Sequence, residues 1–221
     1  MGIDKSQIDF LNAESFSNIY FSDEIIIDCI NVNNGVEEDI FNCNVKGFEL
    51  FIEHLKHHNF LGKYVYISTI SVLDEGALRG SAYVRSKKEA EDHLKESGLD
   101  YQIIRISYPF GQHENPQRLL PRLTNQLRNN LPVKINNIKI NLNFIEDVVE
   151  AIFKSIGKNQ EIFISNNQYV TLGDLVERIK YKLNSSSTIE IESSGTSFMP
   201  ISETPYTCKY NVLDKLEEVL S

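Results

Sequence analysis

Residues 63–91 of the chain are "KYVYISTISVLDEGALRGSAYVRSKKEAE". Residues 64–68 form a short apolar run of the kind that builds a buried strand. The last part of the stretch is typical of a helix, for which Gly98 is the expected C-cap. Tyr83 and Lys87 are four residues apart, about one helical turn. We therefore expect these two side chains to share one face of the helix.

A phenol beside an ammonium group is suited to proton transfer. Tyrosine has an ordinary pKa of about 10, and an adjacent positive charge favours the phenolate and lowers that pKa. Tyr83 could then exchange a proton with a hydroxyl or carbonyl group near neutral pH. Hydroxyl side chains at Ser68, Thr69 and Ser71 follow the predicted strand and could fix a substrate oxygen. Two alternatives stay open, since such hydroxyls also form ordinary turns and a Tyr-x-x-x-Lys spacing can arise by chance.

Strands and helices alternate along the chain, which predicts an α/β protein with βαβ units and a mostly parallel sheet. Ligands bind beyond the carboxyl ends of the strands in such sheets. The predicted strands are residues 24–30, 64–68, 101–106, 161–165 and 188–192, and the predicted helices are residues 38–58, 83–97, 145–156, 171–183 and 211–220.

Composition excludes several classes of protein. A chain of 221 residues suggests one large domain, or one domain with a small appendage. The net charge of −9 argues against a broad surface for nucleic acid. Cys29, Cys43 and Cys208 lack the spacing of a redox or metal motif, and the histidines show no metal-ligand spacing. The sequence therefore predicts no nucleic-acid partner and no metal.

The N-terminal residues have no apolar signal-peptide core, and no run of about 18 apolar residues could span a membrane. Together with the unpaired pattern of cysteines, this predicts a cytoplasmic protein with no membrane partner.

Asn44 falls on the apolar stripe of helix 38–58, between Phe41 and Phe48. A buried amide must find hydrogen-bond partners. Asn44 is therefore either a satisfied core asparagine or a polar group held near a site.

Five stretches carry a further signal in a fixed order along nearly the whole chain. They are "NVKGFELFIEHLK" (44–56), "KYVYISTISV" with "SAYVRSKKEAE" (63–72 and 81–91), "LDYQIIRISYPFGQ" (99–112), "NFIEDVVEAIFKSI" (143–156) and "TLGDLVERIKYKL" (171–183). Together they resemble the extended short-chain dehydrogenase/reductase superfamily, and more closely its branch of sugar-nucleotide epimerases, dehydratases and reductases.

This resemblance implies a Rossmann-like, mostly parallel, doubly wound sheet with a small C-terminal substrate lobe. The dinucleotide-binding domain would comprise residues 1–112 and 143–166. The substrate-binding lobe would comprise residues 113–142 and 167–221.

The resemblance also implies roles for individual residues. Thr69 would be the hydroxyl of a catalytic triad, Tyr83 the acid/base, and Lys87 the group that lowers the tyrosine pKa and holds the nicotinamide ribose. Asn44 matches the asparagine of the family's Asn-Val-x-Gly helix and joins the catalytic set. The resemblance implies that NAD or NADP is the cofactor, with Asp4 at its adenosine ribose, Asp9 and Phe10 at its adenine, and Lys87, Tyr108 and Pro109 at its nicotinamide end. It also implies that Arg118 and Arg122 bind the nucleotide-sugar substrate.

One family motif has no counterpart in this sequence. A Gly-x-x-Gly-x-x-Gly turn normally holds the cofactor pyrophosphate at a helix N-terminus, and none of the 11 glycines forms it. Residues 2–16 resemble the end of the family's second strand and the segment after it. We therefore expect the first βα unit to be missing and the cofactor affinity to be low. Three alternatives would explain the missing unit: the chain is a fragment or a mis-started reading frame, it is a truncated paralogue, or a partner chain supplies the unit.

The resemblance implies an NAD(P)-dependent epimerase or 4-keto reductase of a nucleotide-activated sugar, in polysaccharide or deoxysugar biosynthesis. A 4,6-dehydratase is disfavoured because Ile70 and Ser71, rather than Asp-Glu, follow Thr69. The alternative is a non-catalytic binding or scaffold protein that has lost cofactor binding. The family pattern also implies a homodimer through helices 38–58 and 83–97, for which Ile40 and Ile52 are candidate contact residues.

Overall fold

A computed structural model of the chain describes residues 7–17, 25–158, 160–193, 197–203, 205–209 and 211–220. Asp4, predicted at the adenosine ribose, lies outside the described residues. The chain divides into two compact units, which are Met1–Arg105 with Ser155–Ile162, and Ile106–Lys154 with Phe163–Ser221. Residues 106–112, 143–154 and 163–166 fall in the second unit, whereas the sequence assigned them to the dinucleotide-binding domain. The assignment of binding functions to these parts stays a prediction.

The described strands and helices alternate along much of the chain. The strands are β1 (Ile25–Asp28), β2 (Lys63–Thr69), β3 (Asp100–Ile106), β4 (Tyr108–Phe110), β5 (Val133–Asn136), β6 (Lys139–Phe144), β7 (Glu161–Ile164), β8 (Tyr169–Thr171) and β9 (Ile189–Ser193). The α-helices are α1 (Glu37–Phe41), α2 (Phe48–His57), α3 (Glu75–Gly80), α4 (Ala82–Glu96), α5 (Leu119–Arg128), α6 (Ile145–Ser155), α7 (Leu172–Lys182) and α8 (Val212–Leu220).

The sheet of the first unit has the strand order β1-β2-β3-β7. β1 and β2 are parallel, and Asp28 at the end of β1 is in register with Tyr66 of β2. Because the two strands run in the same direction, their carboxyl ends, at Asp28 and Thr69, lie at the same edge of the sheet. The predicted α/β architecture is confirmed, and the strands predicted at residues 24–30 and 64–68 are present as β1 and β2.

Helices α2 and α4 bury their apolar faces in the core of the first unit. Phe48, Phe51 and Leu55 of the predicted stripe are buried there, which confirms the helical periodicity. The prediction that Ile40 and Ile52 face outward as dimer contacts is wrong, because both side chains are buried within the chain itself. They complete the core of this unit instead of forming an apolar surface patch.

A π-helical segment, Asn42–Gly47, joins α1 to α2 within the helix predicted at residues 38–58. Its last residue allows a close approach of the N-terminal segment. A Cβ atom at Gly47 would lie 2.9 Å from the carbonyl oxygen of Phe10, closer than real Cβ contacts. The glycine of the Asn-Val-x-Gly motif thus has a packing reason in this chain.

The second unit contains two small sheets and four of the α-helices. In one sheet β4 lies parallel to β6, which pairs antiparallel with β8. In the other sheet β5 and β9 are parallel. Thr171 accepts a hydrogen bond from the backbone N–H of Asp174, which confirms it as the N-cap of α7. None of the helices in the described part of the chain has the length and apolar character needed to cross a bilayer.

Candidate active site

Helix α4 carries the tyrosine–lysine pair. Ser81 caps the helix by accepting a hydrogen bond from the N–H of Val84, so Tyr83 falls in the first turn and Lys87 in the second. The Tyr83 side chain is half-buried. The hydroxyl of Ser86 donates to the Tyr83 carbonyl oxygen at 2.8 Å. The predicted placement of Tyr83 and Lys87 one turn apart in one helix is confirmed.

Lys87 is only 1% exposed. Its Nζ lies 3.9 Å from the centroid of the Tyr66 ring, in the geometry of a cation–π contact. Burial lowers the pKa of Lys87 to about 8, although the negative charges of Asp28 and Glu91 act in the opposite direction. The contact brings the ammonium group of α4 against the central strand β2.

Asp28 is a buried carboxylate that the sequence interpretation missed. Its Oδ2 accepts a hydrogen bond from the Tyr64 hydroxyl at 2.7 Å, and its Oδ1 accepts one from the N–H of Ile30 at 2.8 Å. Burial raises the pKa of Asp28, whereas the charge of Lys87 lowers it. An aspartate inside an apolar strand was the available signal, because a buried charge requires compensating partners.

Hydroxyl groups line the end of β2. The Tyr66 hydroxyl and Ser68 Oγ are buried, and neither has a hydrogen-bond partner within the described structure. Thr69 is half-buried at the strand end, and its Oγ1 accepts a bond from the Ser71 N–H at 3.3 Å to cap a short 3-10 turn. Thr69 therefore forms a turn, which is one of the two alternatives drawn from the sequence. The role of Thr69 in a catalytic triad stays a prediction.

The amide of Asn44 is buried and fully engaged. Its oxygen accepts from the Val32 N–H at 2.7 Å, and its nitrogen donates to the Val32 carbonyl at 2.8 Å and to Ser86 Oγ at 2.9 Å. Asn44 thus joins the loop after β1 to helix α4, next to the tyrosine–lysine pair. These contacts give the amide a structural role, and a part in catalysis stays a prediction.

A buried ion pair anchors α4 to β3. The Arg105 guanidinium contacts Glu91 in a bidentate arrangement, with distances of 3.0 and 2.5 Å. The same guanidinium lies 2.7 Å from Glu161, which also pairs with Lys95 at 2.9 Å. Glu91 is one turn beyond Lys87 on α4, so the network fixes the helix that carries the candidate catalytic residues.

Asp9 and Phe10, which are predicted to flank adenine, lie in the N-terminal segment. Asp9 is exposed, and its Oδ1 accepts a hydrogen bond from the N–H of Leu11 at 3.0 Å. Phe10 is buried, and its ring centroid lies 5.7 Å from that of Phe16 and 5.2 Å from that of Phe51. Packing accounts for the aromatic side chain at Phe10, while its contact with a cofactor stays a prediction.

The second unit contains the other predicted ligand residues. The Tyr108 hydroxyl donates to Glu114 at 2.8 Å. The guanidinium of Arg118 lies over the Tyr108 ring at 4.4 Å and pairs with Glu114 at 3.2 Å. Arg118 is therefore engaged within the chain, whereas Arg122 is exposed on α5. Pro109 is half-buried in β4.

A cavity of about 460 Å³ opens within the second unit. It lies between residues 110–114, α5 and α8, and its lining includes His113, Asn125 and Arg128 but neither Arg118 nor Arg122. Clefts of this size with a few polar groups are where small molecules bind. The sequence interpretation did not identify Arg128 as a residue of such a cavity.

Buried polar side chains also hold the second unit together. Asn143 donates to Asn141 Oδ1 at 2.6 Å and accepts from the Tyr206 hydroxyl at 2.6 Å. Asp147 accepts from the Lys209 N–H through Oδ1, while its Oδ2 is buried without a partner in the described structure. In the described residues, no group of three or more His, Cys, Asp or Glu side chains is placed to hold a metal ion.

Comparison with known proteins gives relatives of one kind. No family model matches the chain. The chain is 30% identical over 129 residues to dTDP-4-dehydro-6-deoxyglucose reductase of Escherichia coli, and this match covers 52% of the chain and 41% of that protein. The chain thus spans less than half the length of this curated relative.

Solved structures with the same fold cover nearly all of the chain. RMD from Pseudomonas aeruginosa, complexed with NADPH, has a TM-score of 0.78 at 14% identity, covering 96% of this chain and 86% of its own. UDP-glucuronic acid 4-epimerase from Bacillus cereus, in complex with NAD, has a TM-score of 0.78 at 17% identity, with coverages of 96% and 79%. dTDP-glucose 4,6-dehydratase from Bacillus anthracis, also with NAD, has a TM-score of 0.76 at 20% identity, with coverages of 96% and 76%.

These likenesses confirm the predicted Rossmann-like fold and its resemblance to the extended short-chain dehydrogenase/reductase enzymes. The Bacillus cereus neighbour is an epimerase and the Bacillus anthracis neighbour a dehydratase, both solved with NAD, and RMD was solved with NADPH. The curated relative is a reductase of a dTDP-sugar.

Proposed function

We propose that this chain forms part of a nicotinamide-dependent enzyme that modifies a nucleotide-activated sugar, as an epimerase or a 4-keto reductase. One observation carries the proposal: Tyr83 lies one helical turn from Lys87, whose ammonium packs against Tyr66 of β2, level with Asp28 at the carboxyl end of β1. Parallel α/β sheets bind their ligands at this edge. The sugar-nucleotide enzymes among the relatives support the substrate class.

In this proposal Tyr83 moves a proton at its phenolic oxygen to or from the oxygen of the reacting sugar carbon. Lys87 favours the phenolate form of Tyr83 through its positive charge, and Thr69 hydrogen-bonds the same substrate oxygen. Asn44 holds α4 in place through Ser86. The nicotinamide cofactor, when bound, supplies or accepts the hydride.

The residues fit the nicotinamide half of such a cofactor better than its pyrophosphate. Tyr83, Lys87 and Thr69 offer the hydroxyl and ammonium groups that a ribose and a carbonyl oxygen require. No glycine-rich turn in the sequence provides the backbone N–H groups that normally cradle a pyrophosphate. Lys87 is also enclosed by protein, so a ribose must reach it from the strand ends. We expect weak cofactor affinity for the chain by itself.

The cavity of the second unit is the proposed site for part of the substrate. A nucleotide sugar carries a diphosphate, for which arginine is the preferred partner. Arg128 borders the cavity, and the exposed Arg122 lies on the same helix. Arg118 is the weaker candidate, because its guanidinium already pairs with Glu114.

Calorimetric titration of the chain with NADH and NADPH tests the proposal first. Weak but saturable binding that Lys87→Met abolishes supports a cofactor site at the end of β2. An absence of heat with both cofactors at millimolar concentration favours the scaffold alternative. Incubation with 4-keto sugar nucleotides, followed by NMR of the sugar, then separates reduction from epimerisation.

A further inference from the structure

A carboxylate and an ammonium group are enclosed together beneath helix α4 in the first unit. Asp28 is 6% exposed and Lys87 is 1% exposed. We propose that Asp28 is the counter-ion of Lys87, a positioning residue that keeps the ammonium protonated and held over the Tyr66 ring. In its catalytic consequence, this inference rests on the function proposed above.

The sheet geometry places Asp28 and Lys87 on the same side of β2. Alternate residues of a strand face the same side, so Tyr64 and Tyr66 share one face of β2. The rings of both tyrosines contact Phe48, at centroid distances of 6.0 and 5.1 Å, which confirms that face. Asp28 is hydrogen-bonded to the Tyr64 hydroxyl, and Lys87 lies over the Tyr66 ring. Both charges therefore face the same enclosed space.

In the described part of the chain, two carboxylates, Asp28 and Glu91, act on the charge of Lys87, and the cation that acts on Asp28 is Lys87. The hydrogen bonds of Asp28 come from a phenol and a backbone N–H, and neither donor is charged. Glu91, the other carboxylate that acts on Lys87, is held by the bidentate contact with Arg105. Burial raises the pKa of Asp28 and the charge of Lys87 lowers it, so the carboxylate and the ammonium each favour the charged form of the other.

The other titratable groups near Lys87 cannot replace Asp28. Burial raises the pKa of the Cys29 and Cys43 thiols above the ordinary value, so both stay neutral at physiological pH. Burial also raises the pKa of Tyr64 and Tyr66 well above that of free tyrosine. None of these four side chains carries a negative charge at neutral pH.

The protonation state of Lys87 matters for the proposed reaction, because only the ammonium form carries the charge that acts on Tyr83. A buried lysine tends to lose its proton, because burial disfavours the charged form. With Asp28 ionised, Lys87 remains an ammonium ion near neutral pH and can act on Tyr83. With a neutral residue at position 28, Lys87 would become an amine and lose that influence.

The test measures the titration of Lys87 by NMR of its side-chain carbon and nitrogen atoms, in the chain without any cofactor. Asp28→Asn should lower the pKa of Lys87 by one unit or more, a tenfold loss of proton affinity. Asp39→Asn, the same chemical change at an exposed position of α1, should leave it unchanged. Equal pKa values of Lys87 in the Asp28→Asn variant and the unaltered chain would overturn the inference.

A second measurement uses the unaltered residue at position 28, in case Asp28→Asn fails to fold. The carboxyl carbon of Asp28 should show a chemical-shift step at the pH where Lys87 titrates, and Lys87→Met should remove that step. An Asp28 signal that shows no step through the titration of Lys87 would also overturn the inference.

Failure of this inference is distinguishable from failure of the proposed function, because neither titration requires cofactor or turnover. A lowered Lys87 pKa in a chain without turnover supports the counter-ion and counts against the enzyme. Turnover in a chain whose Lys87 pKa is unaffected by Asp28→Asn supports the enzyme and overturns the counter-ion.

Discussion

The ammonium of Lys87 lies 3.9 Å from the centroid of the Tyr66 ring, so a buried charge joins helix α4 to strand β2. The contact holds the lysine level with Asp28, the residue at the carboxyl end of β1, and α/β sheets bind ligands beyond the carboxyl ends of their strands. It also makes the stability of the protein dependent on the protonation of one side chain.

The contribution of Lys87 to stability should therefore rise between about pH 8 and pH 10.5. The folded pKa of Lys87 is about 8, below its ordinary value of 10.5, so the unfolded chain binds more protons in this window. The free energy of unfolding then increases with pH, by ~3 kcal/mol from this group if the full shift is expressed. Urea denaturation of the unaltered chain and of Lys87→Met across this range measures the effect. Parallel stability profiles of the two proteins would contradict the prediction.

Glu91→Gln should destabilise the protein strongly. It removes the bidentate partner of Arg105 and leaves the guanidinium paired through Glu161 alone. Breaking a buried ion pair costs about 3–5 kcal/mol. The control is Glu53→Gln, which breaks an exposed pair with Lys56 and should cost less than about 1 kcal/mol. Urea denaturation midpoints compare the two variants, and equal losses would show that the network contributes no more than a surface pair.

Asn44→Ala should lower the free energy of unfolding by about 1–3 kcal/mol, because it leaves the N–H and carbonyl of Val32 without their partner. Asn42→Ala in the same segment is the matched control, since the Asn42 side chain accepts only an exposed bond from Lys46 in the described contacts. Thermal denaturation measures both. A stable Asn44→Ala variant would favour a purely functional role for the amide.

Replacing each of the two arginines by alanine, as Arg118→Ala and Arg122→Ala, should show which one stabilises the fold and which one binds the nucleotide sugar. Arg118→Ala removes the cation from Glu114, whose side chain is 7% exposed, and should cost about 1–3 kcal/mol. Arg122 is exposed, so its replacement should leave the melting temperature unchanged. Arg122→Ala is expected to lower the affinity for the nucleotide sugar without lowering the stability of the fold. The reverse pattern would show that Arg118 contacts substrate.

Elements with a strong local signal were predictable from sequence. The helix predicted at residues 83–97 matches α4 within one residue at each end, and Gly98, with φ +80°, directly follows the Ser97 cap. Thr171 caps α7 as predicted. The apolar stripe predicted for residues 38–58 is buried in α2, although α1 and a π-helical segment form the first part of that range. β5 and β6 were missed because their sequences carry polar residues. In β6, Asn141 and Asn143 are buried because they hydrogen-bond each other, and a pattern of apolar residues cannot reveal such mutual satisfaction.

For the site residues, too, only the relationships that are local in sequence could be predicted. The spacing of Tyr83 and Lys87 is local, so one helix is enough to predict that they share a face. Asp28 faces the same enclosed space as Lys87 only through the register of β1 on β2 and the contact of α4 with β2, which join residues far apart in sequence. The aspartate was therefore hidden inside what reads as an apolar strand.

The most direct test of the central claim is the effect of Tyr83→Phe on turnover. The rate of NAD(P)H consumption is measured with a panel of 4-keto sugar nucleotides, in the chain as it stands and in a fusion that supplies a strand–glycine-turn–helix unit. General acid–base catalysis contributes ~10²–10⁴-fold, and the loss in Tyr83→Phe should fall in that range while its circular dichroism matches that of the unaltered protein. An unchanged rate in Tyr83→Phe, or no turnover in either form with any of the sugars, would contradict the account.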